Sequence, residues 1–163
     1  MKTISALLSR QGHRLLQLGV ALFLFTSFEG FVIPLLASPP LGRSVHTLSA
    51  LLGIMLVAFG LVWPRLNLTP TQARLAFWCL IYSGLAIDAS ILLGAAWGAG
   101  NTTMPMAAGP AHGSAFQEGA IAAVAYSSAP TGILSFALIL WGLRLTSRGL
   151  RERQAIRHAS KRR

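Results

Sequence analysis

Four stretches of this chain, residues 15–36, 45–62, 74–97 and 116–143, carry few charges and are dominated by side chains that water rejects. Each approaches the roughly 20 apolar residues that take a helix across a ~30 Å hydrocarbon layer. A backbone in lipid has no water to satisfy its N–H and C=O groups, so such stretches are expected to be helices that bond within themselves. The expected fold is all-α: an integral membrane four-helix bundle over residues 1–145, followed by a basic tail over 146–163. A composition of 53% hydrophobic and 11% charged residues excludes disorder and suits a polytopic membrane protein. Residues 1–36 have the outline of a signal peptide, but the apolar run is longer than a signal's and contains Glu29, so it is read as a span.

Basic residues set the expected orientation. Lys2, Arg10 and Arg14 precede the first span, Arg65 and Arg74 flank the second connection, and 8 of the 14 Lys and Arg residues lie between Arg144 and Arg163. The first connection has only Arg43, and residues 98–115 have no basic residue but His112. The positive-inside rule then puts both termini on the cytoplasmic side, an N-in/C-in topology. The net charge of +10 comes largely from the tail, where no aromatic residues interleave with the basic ones. That pattern argues for an anionic lipid surface and against nucleic acid as partner.

Charge inside such spans is expensive. Three of the four carboxylates, Glu29, Asp88 and Glu118, lie within the apolar stretches. A carboxylate at mid-bilayer costs at least a few kcal/mol, so it marks a wet or protein-lined site, or it serves as hydrogen-bonded glue between helices. At ~1.5 Å per residue Glu29 and Asp88 each lie about 21 Å from the inner end of their spans. Glu118 and His46 begin their own spans at the outer side. All four groups therefore fall in one outer layer, which a single site requires and four unrelated anomalies do not.

Helical periodicity adds a face argument. Glu118, Ala122, Ala125, Ala129 and Gly132 form a small-residue stripe suited to close packing, and His46, Ser49, Gly53 and Gly60 share a face of the second span. His46 is a candidate metal or haem ligand or proton carrier, with an ordinary interfacial histidine as the alternative. Tyr126 and Tyr82 are candidate proton donors or plain interhelical contacts. Cys79 has no partner in the chain, and no HExxH or CxxC spacing points to zinc. The Gly- and Met-rich segment 98–110 is expected to lack regular structure and to serve as a lid or a passive connector.

The ordered landmarks of the chain resemble the hydroxylaminobenzene mutase family of small bacterial membrane isomerases, the longer of its two types. They are Arg10-Gln11-Gly12-His13, Phe31-Val32-Ile33-Pro34, Val62-Trp63-Pro64-Arg65, Ala73-Arg74-Leu75-Ala76-Phe77-Trp78, Ala96-Trp97-Gly98, Met104-Pro105-Met106, Phe116-Gln117-Glu118, Tyr126-Ser127-Ser128-Ala129-Pro130 and Leu140-Trp141-Gly142. The resemblance implies rearrangement of hydroxylaminobenzene to 2-aminophenol in aromatic nitro-compound degradation, at the bacterial inner membrane, with Glu29, Asp88, Glu118 and Tyr126 as catalytic candidates. A more distant resemblance to styrene oxide isomerase implies haem b with His46 as axial ligand, the iron being the only metal expected, and a homo-oligomer, a trimer. Two positions depart from that enzyme's pattern: Leu52 stands where it has an asparagine, and Ile91 where it has a tyrosine. A small transporter or membrane assembly subunit that uses the same acids is the competing expectation.

Overall fold

The computed structural model describes residues 2–110 and 112–144, and the expected tail over 146–163 lies outside them. The chain forms α1 (Lys2–Val32), α2 (Pro39–Val62), α3 (Pro70–Trp97), a single turn α4 (Pro105–Ala108) and α5 (Ala115–Gly142). Of these, α1, α2, α3 and α5 are long and apolar enough to cross a membrane. No strand occurs among the described residues.

Prolines explain the punctuation. Pro34 lacks an N–H and ends α1 in a 3₁₀ turn over Ile33–Leu35, after which Leu36 is extended. Pro39 and Pro70 open α2 and α3 at positions where a missing N–H costs nothing. Thr69 with Gln72, and Ser114 with Gln117, form reciprocal capping boxes at the starts of α3 and α5. Helix α1 begins 13 residues before the predicted apolar stretch, because residues 2–14 include no proline and continue the helix past it, whereas α5 begins only one residue early. Pro130 lies inside α5 without ending it. The hydroxyls of Ser127, Ser128 and Thr131 bond the nearby carbonyls of Val124, Ala125, Ser127 and Ser128.

The bundle is built as two pairs. Helix α1 runs along α2, and α3 along α5, while α2 and α3 join the pairs and α1 meets α3 only sparsely. The α1–α2 seam is closed by glycines: a methyl group built on Gly12 would lie 2.7 Å from Gly60 O, and one on Gly19 would lie 2.7 Å from Gly53 O. Only hydrogen side chains allow backbones so close, the small-residue logic of membrane helix packing. On the other pair, Ser135 donates to Ala76 O at 3.0 Å in a fully buried contact.

The apolar core fills the end of the molecule holding the start of α1 and the α2–α3 connection, with Leu15, Leu56, Trp63, Phe77, Leu80 and Ile139 at its centre. A polar insertion there is satisfied: Trp63 Nε1 donates to Gln11 Oε1 at 3.1 Å, and Gln11 Nε2 to Ala73 O at 3.3 Å. Toward the opposite end, buried polar side chains accompany a smaller apolar cluster of Leu41, Ala95 and Ala108.

Candidate active site

The last turns of α1 bring Glu29 onto the face that packs against α2, in line with Thr26 one turn earlier. Thr26 spends its hydroxyl on Leu22 O at 2.8 Å, so it offers Glu29 nothing. Across the seam, His46 Nδ1 lies 3.5 Å from Glu29 Oε2, with the carboxylate side chain 4% exposed and the imidazole 43%. That distance suits an ion pair and is too long for a good hydrogen bond. Both Glu29 oxygens and His46 Nδ1 are buried without a hydrogen-bond partner in the protein. Buried polar atoms are nearly always paired, so three adjacent exceptions call for a functional explanation. Gly30 makes room for the ring: a methyl there would reach His46 Cε1 at 3.4 Å.

One turn along α2 from His46, Ser49 is fully buried and points toward α3. Its hydroxyl lies 2.8 Å and 3.0 Å from the two oxygens of Asp88, a donor shared over the carboxylate. Asp88 is itself buried, 6% exposed. Three helices thus contribute to one polar cluster: Glu29 from α1, His46 and Ser49 from α2, and Asp88 from α3. Its chemistry is that of acid and base: carboxyl groups and an imidazole can both give and take protons.

Glu118 and Tyr126 stand elsewhere. In the first turn of α5, Glu118 accepts backbone N–H bonds from Gly100 at 2.8 Å, Thr102 at 3.1 Å and Gly113 at 3.1 Å. The carboxylate gathers both strands of the segment 98–114 into a cap. This segment is more ordered than its composition suggested: Gly98 and Gly100 take positive φ, α4 forms one turn, and Asn101 Nδ2 ties to Gly109 O. Tyr126 lies on the outward face of α5 at 66% exposure, whereas Tyr82 bonds Ser127 at 2.7 Å and links α3 to α5.

Two curated relatives share this arrangement of sequence. Over 132 residues the chain is 44% identical to hydroxylaminobenzene mutase HabB of Ectopseudomonas oleovorans, covering 81% of this chain and 80% of the relative. It is 30% identical to hydroxylaminobenzene mutase HabA of the same organism over 125 residues, 77% of this chain and 93% of HabA. The family model for styrene oxide isomerase matches residues 11–144. The chain belongs to the styrene oxide isomerase family. No solved structure matches it. With four apolar helices and relatives named as mutases, the function supported is that of a membrane isomerase.

Within this styrene oxide isomerase family member, the matched stretch contains every residue of the cluster. Leu52 and Ile91, the two departures noted in the sequence, are apolar in place as well. Leu52 is buried in the core against Gly84, and Ile91 packs beside Leu41, Ala95 and Ala108. Neither side chain offers a hydrogen-bond donor. His46 Nδ1 is buried toward a carboxylate, so the ring's exposure lies on its other atoms. Sequence reasoning passed over Ser49 as part of a stripe; its signal was the one-turn spacing from His46. Only the packing of α2 on α3 revealed its bond to Asp88.

Proposed function

We propose that this protein rearranges hydroxylaminobenzene, or a close aryl hydroxylamine, to 2-aminophenol within the membrane. The observation that carries the reading is the buried Glu29, both of whose oxygens lack a protein partner while His46 lies 3.5 Å away. An aryl hydroxylamine presents N–H and O–H donors on a small apolar ring, which matches two unpaired acceptors between apolar helices. The reaction breaks the N–O bond, forms a C–O bond at the ortho carbon, removes the proton from that carbon and leaves one more proton on nitrogen. No atom is gained or lost, and moving protons is a central part of the protein's task. Glu29 holds the substrate's N–H and O–H groups and, with His46, exchanges the protons. Asp88, fixed by Ser49, sets the charge beside them and serves as the second acid. Tyr126 and Glu118 act at a distance, Glu118 by holding the cap over the outer end.

Haem b suits His46 for the reasons of geometry given above, and the relevant group would supply a Lewis acid that weakens the N–O bond. A homo-oligomer, a trimer, is the assembly we propose around it. The orientation is N-in/C-in in the bacterial inner membrane, supported by Arg10, Arg14, Arg65, Arg74 and Arg144 at one end of the helices and Arg43 at the other.

The test is direct. Detergent-purified protein, incubated with hydroxylaminobenzene, yields 2-aminophenol, and product formed in water labelled with heavy oxygen carries no label. Absence of product, or label in the hydroxyl, would overturn the reading. A Soret band in the purified protein that disappears in His46→Ala supports ligation; a band unchanged in that variant rejects it.

A further inference from the structure

Because α1 and α3 both lean on α2 and touch each other sparsely, a crevice remains between them. At the end holding the α2–α3 connection it opens as a groove of about 270 Å³ whose walls include Arg10 of α1 and Arg74 of α3. It continues as a groove of about 460 Å³ beginning at Arg14 and lined by Leu18, Phe77 and Trp78. Three guanidinium groups thus stand along two grooves on these helices, whose other lining residues are apolar except Gln17. None of them has an acidic partner among the described residues, whose single ion pair is His46 with Glu29. The nearest acid along α3 is Asp88, 14 residues from Arg74 and so about 21 Å away.

Geometry selects the occupant. From Arg10 to Ala21, the last α1 residue on its wall, the groove runs 11 residues, about 16 Å. Of this, residues 15–21, about 9 Å, lie within the apolar stretch, well short of the ~30 Å hydrocarbon layer. A transmembrane helix from a second copy needs the full thickness, and a free phosphate needs no apolar wall. A phosphate headgroup with an acyl chain needs both parts as they stand here. The face is also remote from the Glu29–Asp88 cluster, so it is not the reaction site.

We propose that this crevice binds an anionic phospholipid of the phosphatidylglycerol class, with its phosphate among Arg10, Arg14 and Arg74 and a chain along Phe77 and Trp78. The proposal does not rest on the mutase reading, and its test uses no turnover.

Full-length protein in phosphatidylcholine nanodiscs is titrated with phosphatidylglycerol brominated on its acyl chains, and the tryptophan quenching lost in Trp78→Phe is assigned to Trp78. Brominated phosphatidylglycerol quenches Trp78 at a far lower mole fraction than brominated phosphatidylcholine does. The preference falls about fivefold for each arginine replaced in Arg10→Gln and Arg74→Gln. Equal quenching by the two lipids refutes the proposal, as does a Trp78 reached by neither, which would mean a second copy covers the groove. Reversal by millimolar inorganic phosphate would make it a small-anion site and refute it too. Because the two lipids are compared on the unaltered protein, the outcome stands even where a variant fails to fold.

Discussion

Replacing Glu29 by Gln keeps its size and removes its charge, and the structure sets the expected loss. With His46 Nδ1 and Glu29 Oε2 3.5 Å apart, the pair interacts by about 1.2 kcal/mol in a water-like medium and about 4.7 kcal/mol at an effective dielectric of 20. The carboxylate is buried and the imidazole half exposed, so an intermediate value of about 2–3 kcal/mol applies. If that interaction is realised when protons move, kcat/KM for 2-aminophenol formation falls roughly 30- to 150-fold in Glu29→Gln. The assay compares initial rates of purified wild type and variant in the same detergent, with melting curves to establish that both are folded. Glu29→Asp, which keeps the charge at shorter reach, falls between the two. A folded Glu29→Gln within about threefold of wild type, less than 1 kcal/mol, would refute the assignment of proton chemistry to this carboxylate.

Ser49→Ala removes the hydroxyl that Asp88 shares over both oxygens, at a cost of about 1.5–3 kcal/mol, and lowers Tm by roughly 5 °C with reduced turnover. Unchanged Tm and rate would show that this bond matters to neither. In Glu118→Ala, the amides of Gly100, Thr102 and Gly113 lose their acceptor and exchange hydrogen about tenfold faster, with the rest of α5 unaffected. Unaltered protection at those three amides would disprove the anchoring role. Gly19→Ala places a methyl 2.7 Å from both Gly53 O and Val57 Cγ2, so the α1–α2 seam opens and stability falls by about 1–3 kcal/mol. A wild-type melting curve for that variant would contradict the close seam.

Much of the architecture is legible along the chain. The number of spanning helices follows from apolar length alone, because lipid leaves the backbone no other way to bond. The placement of Glu29, Asp88 and His46 toward one end of the helices follows from counting residues along each span, since helical rise is fixed. Helix starts are harder to read: α1 begins near the chain's first residues because polarity marks the edge of the apolar layer and does not stop a helix. The order within 98–114 was also hidden, since what organises it is backbone N–H groups meeting Glu118, and backbone donors leave no mark in a sequence.

By itself, then, the sequence determined four membrane-spanning helices, a polar layer near one end of them and membership of an isomerase family, through length, periodicity and ordered landmarks. Tertiary structure alone decided the pairings: Glu29 with His46, Asp88 with Ser49, Glu118 with the cap, and the crevice between α1 and α3. The physical reason is that the helical period fixes which residues share a face. Which face meets which neighbour depends on how closely backbones approach, and that was settled by glycines such as Gly19 and Gly53 on different helices.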